Sequence, residues 1–332
     1  MPASPSTTAT AAELRQDLGI VAYEHMTGAG QRGHIGLALM PPFRVPHQSA
    51  KFPAVDVSQG MRAADDLRAS TGHYNEVDWA FEMLNYSTSE RGLEGRIDDR
   101  LLAIYAGRLP VEEITARTTV NRILINLERR IAATLQAGAA NANVTTEWST
   151  AATATPHANV QSAKQAFRLA SGLMPNVGAC SLTVFWHLIA CKEVKDALQY
   201  TNPIQMGGMQ AQIAAMAMYL GLDQLLVAGA MLDGSKKGQT AALADIWDDE
   251  FFHLLHVSDG GGDALQPAYG RTLLWTDNSA GGGSAADDGE GMLIVETYRD
   301  EPRRSDMVRV RYDVAEFTQY SAAHYKLGNI SA

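Results

Sequence analysis

Cysteine is nearly absent. Cys180 and Cys191 are the only two in the chain, too few for a disulfide scaffold or a four-cysteine zinc site. Both lie in apolar stretches and read as small buried hydrophobes, in a chain suited to a reducing or cytoplasmic compartment. There is no run of about 18 apolar residues, so no membrane span is expected. The start, MPASPSTTATAAEL, has neither the basic n-region nor the apolar h-region of a secretory signal and reads as a short disordered tail. Positive charge is also scarce, and the net charge is −10. A sequence-independent nucleic-acid binder displaces counterions with a stripe of Lys and Arg, and no such stripe is present. The balance predicts weak or repulsive contact with DNA. It still allows a protein that surrounds nucleic acid without gripping it.

Catalytic signatures are missing as well. The glycine runs Gly260–Gly262 and Gly281–Gly283 precede no Lys-Ser or Lys-Thr, and no GxGxxG opens a helix; they read as flexible loops, not phosphate cradles. Ser171 and Ser181 lack the GxSxG setting of a nucleophile elbow. His253 and His256 form HLLH, a spacing that ligates zinc on a helix. The stretch EFFHLLHV reads as a strand, where positions three apart face opposite sides. Asp248, Asp249 and Glu250 follow Trp247 and could hold a divalent cation, with an exposed acidic turn as the plainer reading. The five tryptophans do not alternate with basic residues as a base-stacking platform would. No catalytic constellation emerges, no cofactor is implied, and a structural protein is expected in place of an enzyme.

What is there suits a folded core. The 332 residues are 46% apolar and 19% charged, enough for roughly two domains. ELRQDLGIVAYEHM (13–26) reads as a short helix, and the Gly- and Pro-rich stretch 28–53 as extended and irregular. Turn-prone pieces at 54–74 lead into NEVDWAFEML (75–84). There Val77, Trp79, Phe81 and Met83 fall on one side of a strand, and Glu76, Asp78 and Glu82 on the other. Nothing nearby in the sequence reads as a sheet that could cover the oily side. Residues 109–138 then predict a helix about 40 Å long. Pro110, Glu112 and Glu113 mark its start, Val120, Leu124, Leu127, Ile131 and Leu135 its apolar stripe, and Gly138 its end. Arg122 and Arg129, seven residues apart, share a face away from that stripe.

The rest of the chain alternates helices and strands. A polar connector (140–158) leads to a helix at 159–172 with Asn159 as its cap. A strand running into a helix follows (176–194), then an apolar helix (206–221) and a buried strand (222–232). Strands close the stretches 242–257 and 270–277, and 278–291 is a flexible acidic loop. The stretches 292–300 and 306–317 form an antiparallel pair in which Val308, Val310, Tyr312 and Val314 alternate with Arg309, Arg311 and Asp313.

In this order the segments resemble the major capsid proteins of tailed bacteriophages with the Hong Kong 97-type fold, most similar to the lambda-like coat proteins. HYNEVDWAFEMLNYSTSERGLEGRIDD resembles the returning strand of the E-loop. LPVEEITARTTVNRILINLERRIAATL, after Asp98–Asp99, resembles the spine helix. ANVQSAKQAFRLASGLMPNVGACSLTVFWHLIACKEVKDAL and MQAQIAAMAMYLGLDQLLVAGAML resemble the helices and strands of the axial domain. ADIWDDEFFHLLHV and PAYGRTLLWTD resemble the Trp-containing strands after it, and SDMVRVRYDVAEFTQYSAAHYKLGNI the returning C-terminal segment.

The resemblance implies an α+β fold laid out as an N-terminal arm (1–50), an E-loop (51–90), a peripheral domain (91–156 and 292–332, spine helix about 110–137) and an axial domain (157–291). It implies a shell of hexamers and pentamers of this chain that encloses double-stranded DNA without sequence-specific binding, in the virion, after assembly in the host cytoplasm. A separate scaffolding protein, a portal and a decoration protein are the expected partners, with no membrane and no cofactor. Some relatives cross-link an E-loop lysine to a neighbour's asparagine. Here Lys51 is the only lysine before Lys164, so no such bonds are expected, with Lys51 the sole candidate. The expected inter-subunit contacts are Val77, Trp79, Phe81 and Met83 against a neighbour, with Glu76, Asp78 and Glu82 facing Arg122 or Arg129. The alternatives are an encapsulin-like compartment of the same fold and, in a different class, a metal-dependent hydrolase using His253, His256 and the 248–250 acids.

Overall fold

The computed structural model describes residues 13–54, 57, 59–63, 66–68, 72–74, 76, 82–105, 108–198, 208–236, 238–259, 263–275 and 292–331. The fold is α+β, built on one long helix and two mixed sheets. The helix runs from Val111 to Gln136. All five residues of the predicted stripe are buried, together with Ala116, Thr119, Ile123, Glu128 and Ala132. Glu112 and Glu113 lie in its first turn, where the unpaired N–H groups favour negative charge. At the other end Gly138 takes a positive φ of 74°, and the last carbonyls are capped from far along the chain. Lys326, 1% exposed, points its ammonium at the carbonyl oxygens of Gln136, Ala137 and Gly138, at 2.8, 3.1 and 2.6 Å.

The first sheet is organised around the strand Ser305–Thr318. Strand Ile294–Asp300 pairs with its first half, Gly270–Trp275 with its second, and Ser89–Asp98 along its opposite edge, all antiparallel. Pro42–Val45 and Glu13–Leu14 extend the sheet at its ends. The predicted alternation holds: Val308, Val310, Tyr312 and Val314 are buried against the long helix, while Arg309 and Arg311 face outward. The outward arginines meet acids on the flanking strands. Arg309 reaches Glu94 at 2.8 Å, Arg311 reaches Glu296 at 2.8 Å, and both pairs are cross-strand neighbours of the kind that fixes register. Gly95 lets the edge strand lie against the helix, because a Cβ there would sit 2.3 Å from Thr115 Cγ2.

The second sheet orders Ala142–Asn143, His324–Gly328, Phe252–Leu255, Val177–Ser181 and Gln224–Ala228. It is covered on both faces, which is why its strands read as near-continuous apolar runs. Val177, Ala179 and Leu255 face the core around the long helix. Cys180, Phe252, Leu254, Leu225 and Leu327 face a second core, made with helices Pro156–Ser171, Leu182–Ala190 and Met209–Leu220.

Four expectations are corrected. The helix expected at Asn159 starts at Pro156, whose fixed φ suits a first turn, with Thr155 before it. The stretch 28–53, expected to be irregular, holds a short helix (Gly36–Leu39) and strands (Pro42–Val45, Ser49–Ala54). Ile35, Leu39 and Met40 are buried there, and tertiary burial overrides the local glycines. Strand Gly270–Trp275, placed by sequence in the axial region, hydrogen-bonds into the first sheet. The C-terminal stretch 292–332, expected within a single domain, takes part in both sheets: it leaves the first after Thr318 and contributes His324–Gly328 to the second.

Candidate assembly surface

Among the described residues, strands Ser49–Ala54 and Glu82–Ser87 pair only with each other, antiparallel, with Lys51 opposite Asn85. A lone two-stranded ribbon is marginal in water, so its base is anchored. Phe52 packs edge-on against Phe43 and Phe317, both at 5.3 Å between centroids, and Tyr86 donates its hydroxyl to the His47 carbonyl at 2.9 Å. The anchored face carries Phe52, Leu84 and Tyr86. Period two puts Met83 on the other face with Lys51 and Asn85, and Met83 is 50% exposed. Of the side expected to be apolar, the described residue is Met83, and its own chain leaves it half exposed. Glu76 and Glu82 are exposed. Val77, Asp78, Trp79 and Phe81 lie outside the described residues.

Arg122 and Arg129 are both exposed, on the outward side of the long helix. Neither forms an ion pair with a described residue, and the single chain does not bring the described acids Glu76 and Glu82 against them. By contrast Arg130 faces inward and ties the helix to the sheet, donating to Glu316 at 2.7 Å and to the Tyr312 hydroxyl at 2.8 Å.

Sequence reasoning missed an apolar patch. The short helix Asp99–Tyr105 has no buried residue. Its Leu101, Ile104 and Tyr105, with Leu109 and Ile114 beyond, are exposed large hydrophobics. The run LLAIY between Arg100 and Arg108 is the signal for it in the sequence. Reasoning also missed Glu128, an acid placed within the apolar stripe four residues after Leu124. It is 3% exposed and accepts hydrogen bonds from the backbone N–H groups of Ile35 and Gly36 and from Trp247 Nε1.

The residues weighed for hydrolysis do not converge. His253 is buried with its Nδ1 3.0 Å from His324 Nε2, and burial holds both rings below the ordinary histidine range, His324 at about 4. His256 Nδ1 instead meets the Met174 carbonyl. Asp249 accepts the Ser181 hydroxyl at 2.6 Å and Asp248 accepts the Glu250 N–H, which makes the acidic turn a structural one. Among the described residues no group of three or more His, Cys, Asp or Glu is arranged to hold a metal. Burial raises the thiol pKa of both cysteines, Cys191 to about 11, the setting of inert cysteines.

No family model matches the chain, and no curated protein matches it. Solved structures do. A phage-related protein from Bordetella bronchiseptica RB50 superposes with a TM-score of 0.68 at 18% identity, covering 97% of this chain and 99% of that one. The putative capsid protein of a prophage of E. coli CFT073 gives 0.51 at 12% identity, covering 96% and 99%. A virus-like particle from Pyrococcus furiosus gives 0.54 at 10%, covering 93% and 98%. At these identities the likeness defines the fold: this chain has, end to end, the α+β fold of structures that include a prophage's putative capsid protein.

Proposed function

We propose that the chain is a major capsid protein of the Hong Kong 97-type, lambda-like in subgroup, that self-assembles into the icosahedral head shell around a phage genome. The observation that carries this reading is the end-to-end likeness to the prophage protein, joined to a two-stranded ribbon on which Met83 is half exposed. In this reading the ribbon is the E-loop and Val111–Gln136 the spine helix. The first sheet forms the peripheral domain, and the second sheet with its helices the axial domain. The net charge of −10 suits an inner surface that DNA enters and leaves. A scaffolding protein, a portal, a decoration protein and assembly in the host cytoplasm belong to the same proposal. The subunit works as a mechanical part and not as an enzyme.

Size-exclusion chromatography followed by negative-stain microscopy of the purified protein tests the reading. Ring-shaped capsomers or closed particles are expected; a protein that stays monomeric at every concentration, with and without its scaffold, ends it. The runner-up is an encapsulin-like compartment, a shell of the same fold that holds protein. Protein cargo in place of nucleic acid inside native particles would select it.

Within this reading the acidic side of the ribbon (Glu76, Asp78, Glu82) faces Arg122 or Arg129 of the adjacent subunit. Reversing both arginines to glutamate is expected to block assembly while the monomer keeps its circular dichroism and melting profile. Contacts of this kind set register and on-rate more than affinity. Normal shells from the double variant would remove this pairing.

A further inference from the structure

Beyond Ala54 two described residues of the ribbon, Val57 and Met61, come back to their own chain. The path starts at Pro53, whose carbonyl accepts from Gln319 Nε2 at 3.4 Å, just past the end of the strand Ser305–Thr318. The next residue, Tyr320, donates its hydroxyl to the Ser171 carbonyl at 3.1 Å, which brings the end of the helix Pro156–Ser171 to the same seam. Gly172 closes that helix with a φ of 72°, the left-handed region that suits glycine. Its bare α-carbon is the floor of a seat. A Cβ built on it would lie 2.4 Å from Met61 Cε, 2.7 Å from Met61 Sδ and 3.6 Å from Val57 Cγ1. The short turn Gln59–Met61 therefore rests on the end of Pro156–Ser171.

We infer that the Gly172 seat is a latch: Val57 and Met61 park the far part of the ribbon on its own subunit, and this contact has to open before the ribbon can reach a neighbour. The first half stands on the contact alone; the second, a brake on assembly, rests on the shell reading. The ribbon then has two holds of different strength. Its base is fixed by the packing of Phe52 against Phe43 and Phe317. The latch is shallow, since Met61 stays 58% exposed. Leu169 and Met174, on either side of Gly172 in the chain, are 89% and 58% exposed and widen the apolar surface around the seat.

The side chain suits a reversible contact. Methionine is unbranched and adapts to an irregular surface, and glycine lets it approach the main chain closely. A contact of this size opens locally and leaves both cores intact. While it is closed, residues 57–61 are spent on their own subunit. The copies ready to meet a neighbour are the unlatched ones, and the apparent affinity between copies falls by that fraction. Filling the seat by substitution at Gly172 would strain the backbone as well as displace Met61, so the latch is better tested from the ribbon side.

Val57→Cys with Leu169→Cys in the full chain tests it. Cys180 and Cys191 are buried and do not compete for a short bismaleimide. In unassembled protein the reagent is expected to join the two new thiols within one chain, read as a cross-linked peptide from a band of monomer mass. Adding Met61→Asp is expected to slow that bridge about fivefold, the worth of one partly covered methionine. Bridges that form only between chains overturn the latch, as does a rate that Met61→Asp leaves unchanged. The brake is read separately by sedimentation velocity. Bridged protein is expected to form no capsomers or particles, while the untreated double variant forms them. Bridged protein that assembles like the untreated variant overturns the brake. If wild type and untreated variant never assemble, the shell reading and the brake fall together, and the cross-linking rate still decides the latch.

Discussion

In the proposed shell, exchanging Trp79 and Phe81 together for serine is expected to abolish capsomers and particles while leaving a folded, soluble monomer. In the sequence the two residues alternate with the acids in step with Val77 and Met83, and Met83 is half exposed. A face of this kind is either an interface or an aggregation hazard. Covering the four side chains is worth several kcal/mol gross at about 25 cal/mol per Å², part of which association and ordering consume. Losing two aromatics removes most of the area, and a repeated contact weakened at every copy does not close a shell. Sedimentation velocity reads the assembly, and the denaturant midpoint reads the fold. The expected split is no assembly with a stability change below about 0.5 kcal/mol. Wild-type-like particles would assign the ribbon another role.

Lys326→Met is the expected large effect on stability itself. Methionine keeps a long flexible stem but has no donor, so the carbonyls of Gln136, Ala137 and Gly138 lose their shared partner. Removing a buried ammonium also removes its desolvation cost, which burial registers by lowering the lysine's pKa. The decisive difference is that only one side of the interaction goes. Three main-chain acceptors at the negative end of a 26-residue helix lose a charged donor, and a hydrogen bond to a charged group is worth about 1.5–3 kcal/mol. The expected loss is about 2–4 kcal/mol, seen as a lower urea midpoint at unchanged slope. An unchanged midpoint would mean that water reaches those carbonyls.

The long helix was legible because its signals agree: proline and acids at the start, an apolar stripe at 3- and 4-residue steps, glycine at the end. The 294–300 and 305–318 pair was legible for the same reason with period two. The partner of the ribbon strand was not. SAKFPA (49–54) is short and contains proline, and only its position across from 82–87 defines it. The buried charges were the least readable. Lys326, Lys164 and Glu128 are residue types that usually sit outside. Their partners are helix-end carbonyls or main-chain N–H groups dozens of residues or more away, which no local pattern encodes. Lys164, for instance, donates to the Leu220 and Gly221 carbonyls that end another helix. Arg122 and Arg129 were placed correctly on the outer side because exposure follows from rotation alone. Whom they meet depends on a second chain.

The strands Val177–Ser181 and Phe252–Leu255 present one face to each of the two main cores, so the lobes share a common wall. Neither lobe retains its filling if the other melts. Heat or urea should take both down in a single transition, and a protease cut between them should not release a half that stays folded. A force applied to one lobe is carried by the partition directly into the other.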